Sequence, residues 1–187
     1  MPHTAVPASE LTARLNELRR VMSATHPDWK MILLDNKIDL YYFTGTMQEG
    51  ALVITPDEAV LFVRHSYECA VRDSRFPDIR PLGSFRGIAS AFPEIPETVY
   101  VAARTMTLQK LTMLQKYLPF APSPIDGILS GLRSVKSEYE LDCMRHAGKI
   151  HAKVLETVAP ALLRPGLSEA RLCAEICTSM LDHGAMC

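Results

Sequence analysis

Net charge is nearly absent from this 187-residue chain: 20 lysines and arginines face 21 aspartates and glutamates, a balance of −1. No basic field is left to hold a polyanion, which excludes nucleic-acid binding carried by charge. Long apolar runs are also missing. The longest, residues 51–54 and 59–63, are strand-sized, whereas a bilayer span needs about 20 apolar residues. The first ten residues have neither the basic region nor the apolar core of a secretory signal. Cysteine is sparse and irregular, 5 residues without a repeating interval, so no disulfide framework is read and a cytoplasmic protein is expected. His-Glu-x-x-His, Gly-x-Ser-x-Gly and a Gly-rich phosphate loop are lacking as well, which removes the commonest local signatures of zinc proteases, serine hydrolases and nucleotide enzymes.

What is present reads as alternating strands and helices. Ser9 opens a helix whose Leu11, Leu15, Leu18 and Met22 share one face and which ends near His26-Pro27. Arg14, Arg19 and Arg20 interleave there with Glu10 and Glu17, the pattern of a solvated face. Residues 31–34 form a strand and Asp35-Asn36 a turn. Residues 38–43, rich in aromatic and β-branched side chains, read as a second strand stopping at Thr44-Gly45, with Tyr41, Tyr42 and Phe43 as sheet packing. Residues 51–55 and 59–64 flank Pro56-Asp57 as a hairpin. A short helix over 66–74, strands at 79–82 and 98–102, a helix over 107–117 and a short helix around 125–132 follow. This order argues for a mixed sheet with helices on both faces.

From Arg133 onward the pattern becomes helical only. Ser137 and Glu140 form a capping box. Leu141, Met144, Gly148, His151, Leu155 and Val158 recur at intervals of 3, 4, 3, 4, 3, a stripe along a helix expected to end before Pro160. Arg164-Pro165-Gly166 turns the chain, Ser168 caps a second helix bearing Leu172, Ile176, Met180 and Leu181, and Gly184 stops it. Both stripes need a cover, and the two helices are expected either to pack on a second copy of the chain or to be partly disordered. Cys173 and Cys177 share a helical face but fall among apolar positions, as small hydrophobes would. His146 and His151 lie roughly 140° apart around their helix and do not converge on one metal.

Three segments carry a resemblance. Ile38-Asp39-Leu40-Tyr41-Tyr42-Phe43-Thr44-Gly45, the hairpin that follows it, and Leu132-Arg133-Ser134-Val135-Lys136-Ser137-Glu138 with Arg164-Pro165-Gly166-Leu167-Ser168-Glu169 are similar to the creatinase, prolidase and aminopeptidase P group, the pita-bread metallohydrolases. The resemblance implies an α/β fold: a mixed-sheet, ribonuclease-H-like N-terminal domain over residues 1–132. Residues 133–187 would then be the linker and first helices of an incomplete pita-bread catalytic domain.

In the peptidases of that group two divalent metals, manganese, cobalt or zinc, are held by two Asp, one His and two Glu. All are expected after Cys187, so no catalytic or metal-binding residue is assigned here and the chain alone is expected to be inactive. Arg64-His65 resembles a family segment whose loop approaches the active site of the partner subunit in a dimer. Arg64 reads either as a surface arginine closing a strand or as a residue meeting a substrate carboxylate across the dimer, with His65 beside it. The implied function is the dimerising, substrate-restricting part of an Xaa-Pro peptidase. A creatinase-like hydrolase of another substrate and a stand-alone interaction module remain as alternatives.

Overall fold

The computed structural model describes residues 5–185. They divide into two compact units, separated between Val135 and Lys136.

The first unit is built on a six-stranded sheet: β1 (Ile32–Leu34), β2 (Gly50–Ile54), β3 (Ala59–Val63), β4 (Ile79–Pro81), β5 (Thr98–Val101) and β6 (Ala121–Pro124), in the order β4-β3-β2-β1-β5-β6. The hairpin β2–β3 is antiparallel, with Gly50 opposite Val63 and Ile54 opposite Ala59. β1 pairs antiparallel with β2 and parallel with β5, while β3–β4 and β5–β6 are parallel. Period-two alternation assigns the side chains to two faces. Leu33, Val53, Val60, Phe62 and Val99 gather with Ile88, Phe92 and Leu114 in one core. Ile32, Leu34, Leu52, Ile54 and Leu61 point the other way and are equally buried. Six helices accompany the sheet: α1 (Ala8–Thr25), α2 (Lys37–Thr44), α3 (Tyr67–Asp73), α4 (Arg86–Ala91), α5 (Leu108–Gln115) and α6 (Asp126–Ser134). The mixed α/β architecture expected from the sequence is thus the one observed.

Several local expectations are corrected. Residues 38–43 are not a strand but most of α2. The Asn36 side chain accepts the Asp39 amide at 2.9 Å, and Gly45, at φ 74°, donates its amide to the Tyr41 carbonyl. The buried positions are Asp39, Leu40, Phe43 and Thr44, a helical rather than an alternating pattern. A capped start and a left-handed stop outweigh the strand propensity of Tyr-Tyr-Phe. Tyr42 therefore packs not in a sheet but under Arg14, whose guanidinium lies 4.3 Å from the ring centre.

Nor is the arginine face of α1 uniformly solvated. Arg14 is buried, bonded to Glu10 and to the Tyr42 carbonyl. Arg19 donates to the Thr55 carbonyl, and its burial draws its pKa below the ordinary guanidinium value, against the pull of Asp57. Arg20 alone of the three is an exposed partner, of Glu17.

Two elements escaped the sequence reading, α4 and β6. Pro122 and Pro124 conceal β6, yet both are accommodated. Ala121 and Ile125 donate inward to the carbonyls of Glu97 and Val101, so the prolines occupy alternate positions whose missing N–H would face off the sheet. Pro81 in β4 stands likewise beside Leu82, whose amide donates inward to Val63.

The second unit contains α7 (Glu138–Lys153), a π turn at Val154–Val158, α8 (Ala159–Leu162) and α9 (Glu169–Asp182). The capping box at Ser137 and Glu140 is present, Ser168 caps α9, and Gly184 adopts φ 90° at its end. The helical path does not stop ahead of Pro160. The Ala159 amide bonds five residues back to Val154, and the widened turn delivers Pro160 to the first turn of α8, where a missing N–H is tolerated. The buried positions are Ile150 and Val154, whereas Met144, His151 and Leu155 of the expected stripe are exposed. α9 packs back on the π turn that Val154 opens, which accounts for that displacement. Cys173 and Cys177 are exposed rather than buried.

Candidate functional site

The hairpin register extends one step past Gly50–Val63 and sets Glu49 beside Arg64. The Arg64 amide donates to the Glu49 carbonyl at 2.7 Å, and the Arg64 guanidinium lies 3.5 Å from the Glu49 carboxylate. His65 approaches the other oxygen of the same carboxylate at 3.9 Å. Ser66 follows at φ 58°, the one non-glycine residue with positive φ among the described residues. A left-handed serine is a strained choice, and it turns the chain from β3 into α3 directly behind the Arg64-His65 pair. Both side chains are solvent-exposed. At an exposed pair the contact itself contributes about 0–1 kcal/mol, so stability does not explain the arrangement.

Arg64 and His65 face different hollows. Arg64 lines a small one with Leu82, Phe85 and Tyr117. His65 lines a cleft of about 500 Å³, shared with Glu49, Asp35, Asn36, Thr107 and Lys110, a size in the range of small-ligand sites. This cleft lies where β1 and β5, parallel neighbours, both end. Crevices at the carboxyl ends of parallel strands are the usual ligand positions in α/β sheets. Sequence reasoning singles out Arg64 and His65 but not their neighbour Glu49, which the hairpin register could have supplied. It also missed the β1–β5 cleft, because the pairing of two distant strands leaves no local signal. Among the described residues no group of three or more His, Cys, Asp or Glu could hold a metal.

The fold is that of solved prolidase-type structures. A prolidase from Pyrococcus furiosus superposes with a TM-score of 0.78 at 23% identity, covering 91% of this chain and 53% of that one. An Xaa-Pro dipeptidase from Bacillus anthracis gives 0.82 at 20% identity, with coverages of 94% and 50%. An X-Pro aminopeptidase from Thermotoga maritima gives 0.79 at 17%, with 91% and 49%. The chain thus spans about half the length of these structures. No curated protein sequence matches it. Residues 14–135 match the creatinase/prolidase N-terminal domain model, and the chain belongs to that family.

Proposed function

We propose that this chain is the dimerising and substrate-restricting N-terminal portion of an Xaa-Pro aminopeptidase- or dipeptidase-like metallohydrolase, acting in the cytoplasm. Residues 1–132 form its N-terminal domain, and residues 133–187 lead into the catalytic domain. The observation that carries the reading is the family match over residues 14–135, joined to likeness with peptidase structures twice as long. The two divalent ions of the complete enzyme, manganese, cobalt or zinc, are held outside these residues. The homodimer is supported by Met144, Leu155, Leu163 and Leu181, apolar side chains exposed on the second unit. Among the described residues no helix is long and apolar enough to cross a membrane.

The purified chain is expected to release no N-terminal residue from Xaa-Pro peptides with manganese, cobalt or zinc supplied. Metal-dependent turnover above a mock-purified control would overturn the reading.

Arg64, with His65 beside it, reaches a substrate carboxylate across the dimer in this proposal. Arg64→Ala in the complete enzyme is then expected to lower kcat/KM for short peptides with a free carboxylate by about tenfold, the effect of one charge-assisted contact. Amidated peptides should hardly respond. Equal losses on both would place Arg64 in fold or dimer contacts instead.

A further inference from the structure

Cysteine is among the residues most often buried, yet Cys173 and Cys177 of α9 are reduced and exposed. Leu172, Ile176 and Met180 lie on the half-buried side of that helix, whereas Cys173, Ala174, Cys177 and Thr178 lie on its outer side. Packing within the unit therefore asks for a thiol at neither position. Alanine or serine would serve the helix as well, without a sulfur open to oxidation. Two such residues on one face call for a reason in their chemistry.

Their spacing narrows that reason. Four residues along a helix advance about 6 Å and turn about 40°, so the two side chains stand one above the other. The Arg171–Glu175 ion pair closes over the same interval on the same helix, at 2.5 Å. A disulfide calls for Cβ atoms about 3.5–4.5 Å apart, whereas a four-residue helical step holds them about 5–6 Å apart. The two thiols are thus kept from joining directly but stay within reach of one atom placed between them. Zinc and iron–sulfur centres take four ligands, and among the described residues no group of three ligating side chains exists. Calcium and magnesium take oxygen. Monovalent copper is selected by thiolates and is satisfied by two sulfurs in line.

We propose that Cys173 and Cys177 form a two-coordinate site for monovalent copper on the outer side of α9. Each thiol gives up its proton and binds through sulfur. One copper ion therefore replaces two protons, and the product is a bis-thiolate with one negative charge. The copper keeps its oxidation state, so no oxidant or reductant takes part. The site draws on neither the Arg64 loop nor the β1–β5 cleft and is independent of the peptidase reading.

The test is a competition for Cu(I) between the full chain and a chromophoric copper chelator, run without oxygen. One ion per chain is expected, and because two protons leave, the affinity should rise about a hundredfold per pH unit wherever both thiols start protonated. Cys173→Ser and Cys177→Ser should each weaken binding by at least about tenfold. Cys143→Ser, which removes an exposed cysteine of α7, should leave it unchanged. One ion shared between two chains, binding that survives loss of both Cys173 and Cys177, or an equal loss in Cys143→Ser would overturn the proposal. Should a serine variant lose its helicity by circular dichroism, the stoichiometry and the proton release of the unaltered chain decide the matter.

Discussion

Gly50→Ala is expected to destabilise the α/β unit by about 3 kcal/mol, the upper end of what overpacking costs. A Cβ at Gly50 would overlap the Phe62 carbonyl oxygen and lie 3.2 Å from the Val63 Cα. These are backbone atoms of β3, and β2 is held between β3 and β1, so neither side has a side chain that can step aside. Urea unfolding followed by circular dichroism measures the loss. Gly83→Ala is the control, because nothing lies within 4 Å of the added atom, and it should stay within about 0.5 kcal/mol of the parent. A loss of similar size at both positions, or under about 0.5 kcal/mol at Gly50, would remove the close approach of β2 and β3 as the reason for a glycine there.

Asp39→Ala is expected to cost about 2–4 kcal/mol, by undoing the junction of α2 and α6. The Asp39 side chain is 5% exposed and accepts from both Arg133 and Asn36. Tyr42, one turn on, donates to the Leu132 carbonyl at 3.3 Å. Removing the carboxylate leaves the Arg133 charge partly shielded from water and the Asn36 amide without its acceptor, which is why one lost partner exceeds the net value of the pair. Arg133→Met with Asp39→Ala completes a double-mutant cycle. The double variant should recover part of the single loss, with a coupling of about 1 kcal/mol or more. Additive losses would show that the two side chains act separately.

The parts of the fold legible in the sequence were those fixed by neighbours along the chain. The β2–β3 hairpin follows from alternation around Pro56-Asp57, and the caps at Ser137 and Ser168 from single side chains within a turn of their targets. α2 was misread because its aromatic run has strand propensity. The signals that decide it, Asn36 before and Gly45 after, lie outside the run. β6 was missed because prolines are counted against strands unless the edge position is known. In the candidate site Arg64 and His65 were visible as the end of a strand. Asp35 was not, since its surroundings depend on β1 meeting β5 and on Lys110 arriving from the following helix. The displaced burial on α7 has a similar origin, for the π turn is a response to Pro160 and to the return of α9 rather than to any local period.

The prolines of β4 and β6 have a meaning beyond tolerance. An open sheet has two borders, and each ordinarily offers a row of free amides onto which another chain can zip. Here Pro81 interrupts one border, and Pro122 with Pro124 empties the other of donors at alternate positions. Both borders are thus poorer templates for strand addition, which disfavours growth of the sheet by recruiting copies of itself during synthesis or refolding. Any association between copies is thereby left to helical surfaces, where side-chain complementarity rather than backbone stickiness decides which partner is accepted.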